Sequence, residues 1–252
     1  MGIPNHGWKY YSNFATEMFK LATNKKPFFV SVSGLSTEEN LKILSKVKRN
    51  PDIHAVELNV SCPNIIGKPQ LGYDPEGLST FLDEVAKVWD ISTPLGLKLP
   101  PYFDIAHFEA VSKVIKDHPM IQFITCCNSF GNGLVIDTET ESVVIKPKNG
   151  FGGVGGAPMK ATTLANVHKF YQLLGDPETS DSPIDIIGCG GICSGEDLFQ
   201  LILAGAKVCQ VGTQLAVHGT TVLEQYQTEL TEIMEQKGYN SLKDFRGKLK
   251  YL

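Results

Sequence analysis

Short β-rich runs alternate along this chain with amphipathic segments of helical period. The runs are PFFVSVSG (27–34), AVELNVSC (55–62), LGLKLP (95–100), IQFITCCNS (121–129), IDIIGCGG (184–191) and KVCQVGT (207–213). Between and after them, residues 37–49, 76–90, 104–117, 162–174, 195–204 and 220–237 repeat apolar positions every three to four residues, and a further amphipathic helix is expected from Tyr10 to about Ala22. Alternation of this kind predicts an α/β fold with a parallel sheet covered by helices. Every run ends in a polar or glycine-rich tail, the position at which a β/α barrel assembles its active site. A closed barrel of that type needs eight strands, and only six are legible. The opening residues read as a Gly/Pro/Asn turn followed by a helix, so either the sheet is open or the chain begins partway round a barrel.

One connection breaks the rhythm. Residues 132–156, NGLVIDTETESVVIKPKNGFGGVGG, predict an extra hairpin (LVID, then SVVIKP) leading into glycines, and connections of this length in compact domains are usually functional or disordered. PETSDSP (177–183) reads as a surface loop.

Three glycine clusters stand out: Gly152, Gly153, Gly155 and Gly156; then Gly188, Gly190 and Gly191; then Gly212 beside Thr213. The last two follow strands and precede helices, where backbone N–H groups and the helix dipole favour a phosphate, as in the loops after the last two strands of a barrel. Taken singly, each cluster reads equally well as turn glycines with positive φ. In ELNVSCPN, Asn59 and Ser61 share one strand face next to Cys62 and Asn64, a tail too polar for plain core. A lone cysteine is more often an inert buried residue than a catalyst; at the active end of a strand it can serve as a base. Lys98 lies in an apolar strand and needs a partner; it is either a snorkelling side chain or the companion of an anionic group such as a reduced flavin. Asn128 and Ser129 end the next strand and offer hydrogen bonds.

Composition removes several alternatives. The chain has 252 residues, 42% hydrophobic, with a net charge of -4 and no block of Lys and Arg that could neutralise a nucleic acid backbone. No run of eighteen apolar residues occurs and the amino terminus lacks the pattern of a secretion signal, so a soluble, cytosolic protein without membrane contact is expected. Six cysteines without a CxxC pair fit a reducing compartment. The six histidines show no ligand spacing, so no metal is expected, and no dinucleotide fingerprint follows the first strand. One domain spanning residues 1–252 is the natural reading of this length.

Taken in order, MGIPN, ELNVSCPNIIGKPQ, LGLKLPPYFD, NSFGNGLVID, ESVVIKPKNGFGGVGG, IIGCGGI and QVGT resemble the class 1A, fumarate-linked, cytosolic dihydroorotate dehydrogenases, from the first residue to GYNSLKDFRGKL near the end. The resemblance implies a (β/α)8 TIM barrel of which about six β/α units are present, the two before the MGIPN turn being absent. It implies FMN as cofactor, dihydroorotate, orotate and fumarate as ligands, a role in pyrimidine biosynthesis, and a homodimer. In the family pattern Cys62 is the base that removes the C5 proton of dihydroorotate while hydride leaves C6, and Lys98 faces the flavin. Met1, Gly2, Ile3, Asn59, Asn64, Asn128 and Ser129 would hold the substrate. Asn59, Lys98, Cys127, Ser129, Gly156, Gly190, Gly191, Gly212 and Thr213 would hold FMN. Two other readings compete: a non-catalytic remnant that binds flavin or phosphate, and an NAD-linked enzyme of the class 1B kind.

Overall fold

The computed structural model describes residues 5–23, 26–61, 69–90, 92–176, 180–181 and 183–252. Six parallel strands form one curled sheet in the order β1 (Phe29–Val32), β2 (Ala55–Asn59), β3 (Leu95–Lys98), β4 (Ile121–Cys126), β9 (Asp185–Cys189) and β10 (Val208–Gln210). The four intervening labels belong to the long connection after β4. Neighbouring strands follow one another in sequence, so the sheet grows as a barrel wall does, with β1 and β10 as its edges. The six strands sit within the six β-rich runs.

Helices α1 (Trp8–Leu21), α2 (Thr37–Val47), α3 (Pro75–Ala86), α4 (Ile105–Asp117), α5 (Lys160–Phe170), α6 (Gly195–Ala204) and α8 (Thr221–Lys237) cover the outside, each packed on the next in that order. The predicted helix over 162–174 is continued past α5 by a π-helical turn, Tyr171–Gly175. A six-residue helix not predicted, α7 (Thr213–His218), follows β10 directly. Four helices start on a side-chain cap: Ser36, Asp74, Asp104 and Ser194 accept the amides of Glu39, Gly77, His107 and Asp197. Each cap meets an amide that the first turn leaves without a partner, and so fixes where the strand-to-helix loop stops.

The alternation of each strand divides the core in two. Outward residues Val56, Leu58, Leu95, Leu97, Ile124 and Ile186 belong to one large apolar cluster with helix residues such as Leu44, Leu78, Leu82, Val111, Ile115, Val167 and Phe170. Burying a side chain of this size contributes about 1.5–3 kcal/mol, so this layer holds the sheet and helices together. The inner face has a much smaller apolar cluster, Ala55, Phe123 and Ile187. Gly96 makes room for it, since a Cβ there would fall 2.2 Å from the Phe123 ring. Above this floor the inward residues turn polar. At the two edges, Phe29 and Val208 remain 46% and 48% exposed.

The connection after β4 contains two small antiparallel ladders. β6 (Ile136–Asp137) pairs with β7 (Ser142–Val143), which is the predicted hairpin in shortened form. Below it, β5 (Phe130–Gly133) pairs with β8 (Gly152–Val154), a ladder the sequence pattern did not predict. This second ladder brings Ser129 and Gly155 back to the sheet together. Of the expected loop 177–183, residues 177–179 and 182 lie outside the described residues.

Candidate active site

At the carboxyl ends of the strands, a cavity of about 160 Å³ is lined by Lys98, Cys127, Asn128, Ser129, Gly156, Gly190, Gly191, Gly212 and Thr213, with Met159 and Gln210 among the other walls. Five separate loops thus bring together nearly all the proposed flavin residues. Asn59 lies beside this group. Met1, Gly2, Ile3, Cys62 and Asn64 lie outside the described residues.

A polar knot joins the ends of three strands. The Asn59 side-chain carbonyl accepts from the Ser61 amide at 3.2 Å and from Asn128 Nδ2 at 3.2 Å. Ser61, fully buried, donates its hydroxyl to the Lys98 carbonyl at 2.8 Å, and Asn128 Nδ2 also reaches the Ser61 carbonyl at 3.0 Å. Asn128 Oδ1 in turn accepts the Ser129 amide at 2.8 Å. Burial leaves such groups no water to fall back on, so the knot fixes the side chains that face the cavity. The backbone makes the same tie, because the Asn128 amide donates to the Leu99 carbonyl at 2.8 Å and the Cys127 amide to the Cys189 carbonyl at 2.9 Å.

Lys98 enters the cavity with a partner already in place. Its Nζ donates to Gln210 Oε1 at 3.1 Å, and Gln210 Nε2 reaches Glu57 Oε2 at 3.5 Å. The Thr125 hydroxyl donates to the same Glu57 oxygen at 2.5 Å. Burial pushes the Lys98 ammonium down, but Cys189, Glu57 and Cys127 together outweigh it and the net shift is upward. Lys98 is therefore charged. Glu57, Thr125 and Gln210 were not singled out from the sequence. Each sits inside a β-rich run whose period 2 puts it on the inner face, and that periodicity was the available signal.

The glycine loops differ from one another in what their conformations require. Gly190 and Gly191 have φ of 128° and 81°, and a Cβ on Gly191 would lie 2.5 Å from the Lys160 Cα. Gly156, at φ 80°, faces Thr213. Gly212 has φ −112° and open space around it. The first turn of α6 has little left for an anion: Asp197 accepts the Cys193 amide, Glu229 the Gly195 amide and Ser194 the Asp197 amide. Lys160 pairs with Asp197 at 2.8 Å. A phosphate at this corner would therefore rest on the loops 190–191 and 212–213 and not on the α6 terminus.

Cys127 and Cys209 are both pushed up to about 12, in each case mainly by burial. They are thiols at neutral pH; Cys127 forms part of the cavity wall, and Cys209 packs against the apolar clusters. Among the described residues no group of three His, Cys, Asp or Glu side chains is placed to hold a metal ion, and no helix is long and apolar enough to cross a membrane.

Comparison with known proteins gives one consistent answer. The dihydroorotate dehydrogenase family model matches residues 1–234. The dihydroorotate dehydrogenase (fumarate) of Trypanosoma cruzi is 47% identical over 252 residues, covering 99% of this chain and 77% of that protein. The one from Lachancea kluyveri is also 47% identical, with 77% of its length covered. The putative dihydroorotate dehydrogenase A (fumarate) of Streptococcus equi subsp. equi is 49% identical over 251 residues, again covering 77% of that protein. Among solved structures, Eimeria tenella DHODH in complex with ferulenol superposes with a TM-score of 0.76 over 96% of this chain and 67% of that one, at 17% identity. That likeness concerns the fold, an incomplete (β/α) barrel.

Proposed function

The chain belongs to the dihydroorotate dehydrogenase family, and from that premise we propose that it oxidises dihydroorotate to orotate with a bound FMN, for UMP biosynthesis, and passes the electrons to fumarate. The observation that carries the reading is the cavity in which Lys98, Asn128 and Ser129 share walls with three glycine loops. The relatives from Trypanosoma cruzi and Streptococcus equi support the substrate and the acceptor by name.

The residues suit the cofactor. A Cβ at Gly190 or Gly191 would meet Thr163 or Lys160, so the backbone there runs close to its support and offers N–H groups with no side chain in front of them. FMN held here would supply the acceptor for the hydride of dihydroorotate and the donor of hydride to fumarate. Gly156, Gly190, Gly191, Gly212 and Thr213 would hold its phosphate end, and Asn59, Cys127 and Ser129 would line its ring. Lys98 brings a fixed positive charge to the cavity wall, where the protein around it makes such a charge act more strongly than in bulk solvent.

Asn59, Asn64, Asn128 and Ser129, with Met1, Gly2 and Ile3, would hold the pyrimidine and carboxylate of the substrate. An Asn carboxamide both donates and accepts, which matches a ring edge of alternating N–H and C=O groups. Cys62 takes the proton from C5.

As part of the same reading the protein works in the cytosol, as one domain over residues 1–252, and as a homodimer. The dimer is supported by exposed Val135, Ile136 and Val144 on the connection after β4, apolar side chains on the two arms of one hairpin, where the Val144 amide donates to the Val135 carbonyl, that a second copy would cover. Light scattering coupled to size exclusion is expected to give twice the monomer mass, falling to the monomer in Val135→Lys.

Adding dihydroorotate without oxygen to the FMN-loaded chain is expected to bleach the flavin absorbance, and fumarate to restore it. Cys62→Ala should retain the flavin and bleach far more slowly. Bound flavin that stays oxidised in the presence of dihydroorotate overturns the assignment.

A further inference from the structure

Beneath the cavity, Glu57 on β2 stands between Thr125 on β4 and Gln210 on β10, three strands that the curl of the sheet brings to one point. A buried carboxylate in this position needs a reason, because an unpaired buried charge is costly and the surrounding floor is apolar. Gln210 supplies the link. Its carboxamide has one accepting and one donating end; Oε1 faces the Lys98 ammonium at 3.1 Å and Nε2 faces Glu57 at 3.5 Å. Turned the other way, the amide would set its NH2 against the ammonium and its oxygen against the carboxylate, so the two charges together fix one orientation.

We propose that Glu57 is the positioning residue for Lys98: through Gln210 it keeps the ammonium charged and held at the cavity wall before any ligand arrives. The inference rests on the flavin reading only for its use, since the device is complete in the chain itself. Three titratable groups face Lys98: Cys189 on β9, Glu57 on β2 and Cys127 after β4. Of these Glu57 is the one that needs no thiolate to act. Burial alone drives a lysine toward its neutral form. A neutral Lys98 would keep only a weaker, uncharged hydrogen bond to Gln210 and present no charge to an electron-rich ring.

The experiment is a pH titration of the Lys98 side chain by NMR in the flavin-free chain, using ¹³C-labelled lysine and Lys98→Arg to assign the signal. In Glu57→Gln, an isosteric change, the Lys98 pKa is expected to fall by about one unit or more; Gln210→Met, which removes the link and leaves Glu57, should also lower it. FMN affinity followed by fluorescence should lose its alkaline limb earlier in both variants, by the same shift. An unmoved Lys98 pKa in folded Glu57→Gln overturns the proposal, whatever happens to stability; if that variant does not fold, Gln210→Met decides on the same criterion. If Lys98 shifts as expected but no form of the chain binds FMN, the role of Glu57 stands and the flavin reading falls. If FMN binds normally and Lys98 does not shift, the reverse holds.

Discussion

Gly191 and Gly212 both line the cavity and would both contact the same phosphate, yet replacing each with alanine should have very unequal consequences. At Gly191 the backbone has φ 81°, which costs an L-residue about 1–2 kcal/mol. The new methyl would also lie 2.5 Å from the Lys160 Cα and 2.6 Å from the Lys160 nitrogen, backbone atoms at the start of α5 that cannot rotate away. Overpacking of this kind adds about 1–3 kcal/mol, so Gly191→Ala should lose roughly 2–5 kcal/mol. At Gly212 φ is −112° and nothing lies within 4 Å, so Gly212→Ala should stay within about 0.5 kcal/mol of the parent. With a urea m-value of about 2 kcal/mol/M, the first variant should unfold roughly 1–2.5 M earlier and the second at nearly the parent midpoint. Urea unfolding followed by circular dichroism measures both. Coincident midpoints for the two variants would refute the claim that loop 190–191 is shaped by its contact with α5.

Three further outcomes follow from other parts of the fold. Asn166 accepts the Tyr102 amide at 2.8 Å and donates to the Tyr102 carbonyl at 3.0 Å, so Asn166→Leu strands two buried backbone groups at about 1–3 kcal/mol each; a thermal midpoint within 3 °C or so of the parent would contradict this, since 1 kcal/mol moves a chain of this size by about 2–4 °C. Burial raises the Cys127 and Cys209 thiols to about 12 from 9.0; their contribution is therefore complete below about pH 9 and is lost as the pH rises beyond it, and in the folded chain both should resist alkylation at pH 9 when peptides are mapped by mass spectrometry. The Asp104 carboxyl is held below its usual range, first by the His107 amide, and the Asp244 carboxyl by the Ser241 and Asn240 amides; stability from these caps is full above pH 4 or so and drains away as the pH falls through their lowered values. Asp104→Asn with Asp244→Asn should flatten the acid limb of a plot of urea midpoint against pH, and an unchanged limb would count against the caps.

Much of this molecule was legible because its physical signals are local. The six strands were visible as short β-rich runs, and the helices between them as amphipathic stretches of helical period. The glycine loops could be grouped because strand ends in a barrel converge, so Gly156, Gly190 and Gly212 meet although they are far apart in sequence. What remained hidden depends on contacts that no short window contains. β5 and β8 are glycine-rich and short, with little β propensity, and they pair only because their partner lies about twenty residues away. Glu57 reads alone as a charged residue inside a strand; its meaning comes from Thr125 and Gln210, which the curl of the sheet delivers from 68 and 153 residues further along. Lys98 could be flagged as needing a partner, but the partner found is the chain's own Gln210.

The division of the sheet into a greasy outer face and a polar inner face has a bearing on how this protein can change over evolutionary time. Nearly all the apolar packing lies between the strands and the helices, while the groups facing the cavity hang from the opposite side of the same strands. A lineage can therefore exchange Leu58, Leu97 or Ile124 for side chains of similar volume at little cost without touching the chemistry one residue away. It can also retune Glu57, Lys98 or Thr125 without loosening the fold's main layer. Durability and reactivity are written on alternate letters of the same six words, and selection can edit either set while leaving the other intact.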